Sequence, residues 1–268
     1  MNCYLCGAEM GRGSIDTRDG KPVYQCACGL VSVDAPPHDY SQPMHEGIDS
    51  ERWARESVID DERRFTALKP MLVNKRVLDV GCGTGGFLRL ARGVALSVMG
   101  VEPYVGSGGC VDIPVQPFLQ FVDGGWNVVT LFHVLEHQVD PIGFLVEIER
   151  VLGVFGTLVV EVPSADDALM TLYGCSEFTR HTLWSKHLHL FNAKTLTETA
   201  KRAGLRVEAV RHIQRYPLSN HLHWLARGKP DGHREWGFLD SPELAKAYED
   251  ALAAIGKTDT IMAFMRKQ

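Results

Sequence analysis

The sequence predicts an α/β protein: a doubly wound, mostly parallel sheet with helices on both faces, preceded by a small cysteine-bound module. Three observations predict it. From Arg76 onward short apolar runs alternate with helical stretches, the mark of parallel strands joined by helices. One of these runs turns through four glycines into a helix, as a backbone does where it must pass close to a ligand. And four of the seven cysteines lie at the extreme N-terminus.

Composition bounds the reading. A chain of 268 residues can hold one full α/β domain and one small unit, each with its own core. With 45% hydrophobic and 23% charged residues it is an ordinary globular sequence. Acidic residues outnumber basic ones, 33 to 28, which argues against a protein that grips nucleic acid through its phosphates. No apolar run approaches the roughly 18 residues needed to cross a bilayer, and Met1-Asn2-Cys3-Tyr4 opens with neither a basic segment nor an apolar signal core. A cytoplasmic protein with no membrane partner is expected.

Residues 1–37 form the first unit. Short alternating stretches at Val23–Gln25 and Leu30–Val33 suggest two small strands. Cys3-x-x-Cys6 and Cys26-x-Cys28 supply four thiolates from two turns, enough for one tetrahedral zinc ion in a zinc-ribbon-like module. Four sulfur ligands leave no position for an activated water, so this zinc is expected to be structural. The second turn is one residue shorter than the usual C-x-x-C, which keeps His38 in view as a replacement ligand. Cys82, Cys110 and Cys175 are scattered and read as buried small hydrophobes. Residues 38–70 read as a proline-broken linker and a covering helix: Trp53, Val58, Ile59, Phe65 and Leu68 among many charges suit an amphipathic helix from Ser50 that ends before Pro70.

The main domain, 71–268, begins with the strongest signal, Val77-Leu78-Asp79-Val80-Gly81-Cys82-Gly83-Thr84-Gly85-Gly86-Phe87-Leu88. Gly81, Gly83 and Gly86 also satisfy the dinucleotide pattern G-x-G-x-x-G, so the glycine spacing leaves the cofactor open. Asp79, at the strand's end, can face a cationic cofactor and would repel a pyrophosphate. One strand later, Glu102-Pro103 offers a carboxylate to ribose hydroxyls, a feature shared with nicotinamide enzymes. Further apolar or helical segments follow, among them Phe118–Phe121, Val128–Phe132 and Thr157–Val162. The stretch from Ser164 to Phe191, aromatic and histidine-rich, is long enough to cover a substrate. A final strand near Thr260–Met265 is expected at the sheet edge.

The run Asp79-Val80-Gly81-Cys82-Gly83-Thr84-Gly85 resembles the first motif of class I S-adenosylmethionine methyltransferases. Glu102 falls where their ribose-binding acid lies, and Val128–His137 followed by Asp140-Pro141 is similar to their fourth strand and its Leu-Glu-His segment. The resemblance spans roughly residues 50–268. It implies a Rossmann-like sheet of seven strands with the last antiparallel, and S-adenosylmethionine as cofactor. It implies Asp79, Gly81, Cys82, Gly83, Gly85, Phe87, Glu102, Pro103, Asp112, Phe132 and His133 around that cofactor, with Asp112 near the adenine edge and Phe132 and His133 lining the cleft.

Methyl transfer is an in-line displacement, so the protein must orient the acceptor and remove its proton. Trp184-Ser185-Lys186-His187-Leu188-His189-Leu190-Phe191 resembles a Glu-His-Leu-x-Tyr-Phe stretch of sugar C-methyltransferases, which also carry an N-terminal zinc module. His187 falls on their basic histidine, while Lys186 and Leu190 depart from the pattern. The candidate catalytic residues are His187, His189 and His137; the last could instead cap the next helix. Arg215 and Lys229, near Tyr216 and Trp224, would suit an acidic acceptor. The expected acceptor is a small molecule, a sugar or sugar nucleotide by resemblance. The alternatives are an RNA or protein methyltransferase and a non-catalytic S-adenosylmethionine-binding protein.

Overall fold

The computed structural model describes residues 1–39, 50–104 and 112–268, with only the backbone of 50–56. Cys110 and the glycine-rich 106–109 segment lie outside the described residues.

The N-terminal unit contributes β1 (Gly11–Arg12), β2 (Val23–Gln25) and β3 (Val31–Val33). The long helix α1 (Ser50–Leu72) follows. The main domain then runs β4 (Arg76–Val80), α2 (Gly86–Arg92), β5 (Ser97–Val101), β6 (Val115–Gln116), β7 (Trp126–Phe132), α3 (Pro141–Val151) and β8 (Leu152–Pro163). Next come α4 (Ala168–Thr171), α5 (Ser176–Thr182), β9 (His189–Leu190), α6 (Ala193–Arg202) and β10 (Leu205–Ile213). The chain ends with α7 (Leu218–Arg227), α8 (Gly232–Glu235), α9 (Pro242–Ala254) and β11 (Thr260–Lys267).

Seven strands form the main sheet in the order β10-β11-β8-β7-β4-β5-β6, with β11 antiparallel to both neighbours and the pairs among β8, β7, β4, β5 and β6 parallel. The fold class read from the sequence is the one observed. The chain winds outward from β4 through β5 to β6, then returns to place β7 on the other side of β4. Strand order therefore reverses between β4 and β7, and the crevice at their carboxyl ends is where open α/β sheets bind ligands.

Two sequence expectations need correction. Helix α1 does not stop before Pro70 but carries it within its last turn; there the lost N–H removes one bond near an end and does not break the interior. Within the segment Phe118–Phe121, Leu119–Phe121 forms a 3₁₀ turn, and the edge strand is the earlier pair Val115–Gln116. The final strand lies inside the sheet, with β10 at the edge. The residues explain the order. Ile261, Met262, Ala263 and Met265 are all buried, as a strand covered on both faces requires, whereas β10 exposes Arg206, Glu208, Ala209 and Arg211.

The small unit is tied to the main domain by the segment between β8 and α6. Strand β9 pairs antiparallel with β3, completing a second sheet of order β1-β2-β3-β9. The main-chain N–H of Val33 donates to Leu188 (2.9 Å) and that of Arg18 to Leu183 (3.1 Å). The Arg18 guanidinium sits 4.5 Å from the Trp184 ring centroid. On its other side the unit rests on α6, where the Tyr4 hydroxyl meets Thr199 (3.4 Å). A Cβ on Gly29 would lie 2.5 Å from the Asn192 amide, and φ of +100° there already demands glycine.

Candidate active site

Strand β4 ends in a loop whose glycines 81, 83 and 85 all take positive φ, which lets the main chain fold back under the sheet edge without a Cβ clash. Asp79 is buried and accepts a hydrogen bond from the Thr130 hydroxyl on β7 (2.7 Å), so its carboxylate braces the β4/β7 crevice from below. The Cys82 side chain is buried and turned toward β5: a Cβ on Gly100 would lie 2.4 Å from its sulfur. It is the backbone of Cys82, and not the thiol, that faces the crevice loop. Phe87 and Phe132 meet edge to face in the core beneath, with centroids 5.0 Å apart.

At the end of β5, Glu102 reaches across to the glycine loop. Its Oε2 accepts from the Gly83 N–H (2.9 Å) and its Oε1 from Tyr104 (3.1 Å). Burial pushes this carboxyl above its ordinary value, against those two bonds. Pro103 follows it directly. The glycine loop and this carboxylate thus line one crevice, a suitable cradle for a nucleoside whose ribose offers two hydroxyl donors. Asp112 has an exposed carboxylate paired with Arg89 (3.0 Å) and Arg92 (3.3 Å) of α2.

The other side of the crevice carries a dense charged network that the sequence reading missed. Glu161 on β8 is fully buried, and Arg63 and Arg64 of α1 close on both its oxygens at 2.7–3.0 Å. Although burial opposes ionisation, Arg64, His133 and Arg63 hold this carboxyl well below its ordinary value. Arg64 also lies over the Phe132 ring, 4.5 Å from its centroid. Arg215, after β10, pairs with Asp60 of α1 and donates to His133 Nε2 (3.2 Å). His133 Nδ1 donates to Glu136 Oε1 (3.1 Å), its Nε2 also lies 3.5 Å from Glu161, and although burial and Arg215 oppose it, these two carboxylates raise the imidazole's pKa above its ordinary value. His133 itself sits at φ 56°, a left-handed conformation that turns the chain sharply off the end of β7. One signal was present in the sequence: Glu161 stands alone in an apolar strand, and a charge placed there must be paired.

Immediately beyond, Val134 abuts the glycine loop, since a Cβ on Gly81 would lie 2.4 Å from its methyl. Glu136 and His137 follow in a 3₁₀ turn and are both buried. The covering segment brings His187 onto this turn, with its ring centroid 5.0 Å from that of His137. His137 Nδ1 donates to the Lys186 carbonyl (2.5 Å). Burial, reinforced by His137, pushes the His187 imidazole down to about 3, so it is uncharged. His189 is not part of this group. It is buried between the small unit and the main domain, where Nδ1 meets the Ser32 hydroxyl (3.0 Å) and its ring stands edge-on to Tyr4. Trp224 packs against Phe178 and His181, and Lys229 is exposed.

At the other end of the molecule the four cysteine sulfurs lie within 4.8 Å of one another, with Cys3–Cys28 at 3.7 Å and Cys6–Cys26 at 3.3 Å. Sulfurs about 2.3 Å from a tetrahedral ion stand roughly 3.8 Å apart, so the set fits such an ion with small adjustment. His38 is not in the cluster.

A glycine loop with a buried carboxylate beside it, at a strand-order reversal, marks the place where open α/β sheets bind nucleoside cofactors. Residues 51–210, more than half of the chain, match the family Methyltransf_23, a methyltransferase domain. The chain belongs to that family and is an S-adenosylmethionine-dependent methyltransferase. Its fold is similar to that of a SAM-dependent methyltransferase from Archaeoglobus fulgidus, at 18% identity and TM-score 0.55 over 81% of this chain and 99% of that one. It is also similar to the mitomycin 7-O-methyltransferase MmcR, at 14% identity and TM-score 0.51 over 82% of this chain and 56% of that one. No curated protein matches the chain. Among the described residues no helix is long and apolar enough to cross a membrane.

Proposed function

We propose that this enzyme methylates a small-molecule acceptor, a sugar or sugar nucleotide, at an oxygen or carbon atom beside the His137–His187 pair. The observation that carries the reading is the position of that pair: the buried His137, on the turn that touches the glycine loop, and the half-buried His187, brought against it by the covering segment. S-adenosylmethionine supplies an electrophilic methyl group. Gly81, Gly83 and Gly85 give its chain close approach, Glu102 takes the ribose hydroxyls, and Asp79 holds the β4/β7 crevice open from below. Phe132 and His133 wall the cleft. When bound, the cofactor would supply its methyl group to an acceptor atom whose proton would leave on the side of His137 and His187.

In this reading the four cysteines bind one structural zinc ion. The ion's task is mechanical: it fixes the small unit, whose strand β3 holds β9 and with it the covering segment that delivers His187. The test is calorimetric titration with S-adenosylmethionine and separately with NADH, followed by transfer of isotope-labelled methyl to a panel of sugar nucleotides. Binding of S-adenosylmethionine alone, with label entering a sugar nucleotide, is the expected result. Label entering RNA or protein instead would overturn the acceptor. In Cys26→Ser, zinc content and transfer should fall together while cofactor binding persists.

A further inference from the structure

The described residues hold a second cluster of ligating side chains besides the cysteines: Glu136, His137 and His187, each offering a ligand atom within 4.8 Å of the others. We propose that these three residues bind a divalent transition-metal ion at the acceptor side of the crevice.

The hydrogen bonds around the cluster support this. Glu136 is fully buried, yet its Oε2 has no hydrogen-bond partner, and neither has the buried Nδ1 of His187. Leaving a charged oxygen and an imidazole lone pair both dry and unpaired is costly unless something between them is bound. Three further polar atoms of the trio are held from behind. His133 donates to Glu136 Oε1 (3.1 Å), which aims Oε2 the other way. His137 Nδ1 donates to the Lys186 carbonyl, so the lone pair is on Nε2. The main chain of Thr182 holds the His187 ring, and since Nδ1 is unpartnered that bond falls to Nε2. This is the outer-shell pattern of metal-binding histidines: the far nitrogen is fixed on a carbonyl and the near one is left basic.

Two imidazoles and one carboxylate suit iron, manganese, cobalt, nickel or zinc, and leave coordination positions open. Ligand atoms about 2.1 Å from an ion stand roughly 3–3.5 Å apart, so the side chains close by about an ångström on binding. The turn that carries Glu136 and His137 follows Val134, which abuts Gly81, so the cluster lies beside the glycine loop and so do its open positions. Resting on the methyl-transfer reading above, they would take the acceptor's hydroxyl oxygen and ease loss of its proton to solvent, which assigns the histidines the role of ligands.

The test is a cobalt titration of chelator-stripped full-length protein, followed by visible absorption and by metal analysis. Two ions per chain are expected. One brings intense thiolate-to-cobalt charge transfer; the other binds without any new thiolate band. His187→Ala and, separately, His137→Ala should each reduce the count to one, keep the thiolate band and keep the circular dichroism. A single equivalent in the wild type, or two in both variants, would overturn the site and leave an ordered water as its occupant. If neither variant folds, X-ray absorption of the second cobalt in the wild type decides, since imidazole ligation is required. Calorimetry of S-adenosylmethionine with the metal-free protein separates this from the cofactor reading: binding there with no second metal sinks only the metal site.

Discussion

Two buried glutamates, Glu136 and Glu161, follow neighbouring strands toward one crevice and are treated in opposite ways. Glu161 is surrounded: two arginines of α1 saturate both oxygens. Glu136 is held by one histidine and keeps its second oxygen dry and unpaired. Both are fully buried, so burial alone does not separate a structural carboxylate from a functional one. What separates them is whether the protein spends all of their hydrogen-bonding capacity on itself. Glu161 locks α1 across the ends of β7 and β8, and Glu136 is left available.

The largest effect should therefore come from Glu161→Ala. It strands Arg63 and Arg64 beside a cavity, and breaking a buried pair of this kind costs about 3–5 kcal/mol; urea unfolding should show a loss of that size. Glu136→Gln keeps the shape and removes a half-satisfied charge. Its unfolding midpoint should correspond to a change of less than about 1 kcal/mol while methyl transfer is lost. Equal destabilisation by both would erase the distinction. Next in size, Glu102→Ala removes the carboxylate proposed to take ribose hydroxyls. Charge-assisted bonds of this sort contribute about 1.5–3 kcal/mol, so the dissociation constant for S-adenosylmethionine should rise about 10- to 100-fold by calorimetry, with unfolding almost unaffected.

The sheet was legible because its information is local. Apolar runs, the glycine loop and the Asp140-Pro141 helix start each carry their own signal, and Asp140 does cap α3 through the Gly143 N–H. The order of the last strands was not legible from any single run; it depends on β11 being apolar on both faces and β10 on only one. The four cysteines converge as their spacing suggested, since two tight turns leave them little choice. His187 and His189 are two residues apart but diverge, because His187 lies before β9 in a turn closed onto the Trp184 carbonyl, whereas His189 is in β9 opposite Ser32 of β3. Nothing in the sequence joined Asp60 to Arg215 or Arg63 to Glu161. Those pairs are separated by about a hundred residues or more and exist only once α1 lies over the sheet.

A third buried carboxylate sharpens the comparison at its weakest end. Asp167 is 2% exposed, has no arginine, and faces Asp259 and the Tyr248 hydroxyl across the base of the covering segment. Its Oδ1 caps α4 through the Leu169 N–H (2.6 Å). Burial first, and then Asp259, push this carboxyl up to about 8. The protein's third solution is thus to keep the acid protonated. The folded state then binds a proton that the unfolded chain releases above about pH 4, so this group's contribution to stability falls as pH rises from about 4 to about 8 and levels off beyond. Asp167→Asn retains the cap and cannot ionise. It should flatten that slope and stabilise the protein at pH 8 by about 1–2 kcal/mol, less than an unrelaxed buried charge would imply, because water and side chains adjust. Thermal unfolding of both proteins at pH 5 and pH 8 decides it: parallel shifts would mean that Asp167 is ionised throughout and that some unrecognised cation pairs it as the arginines pair Glu161.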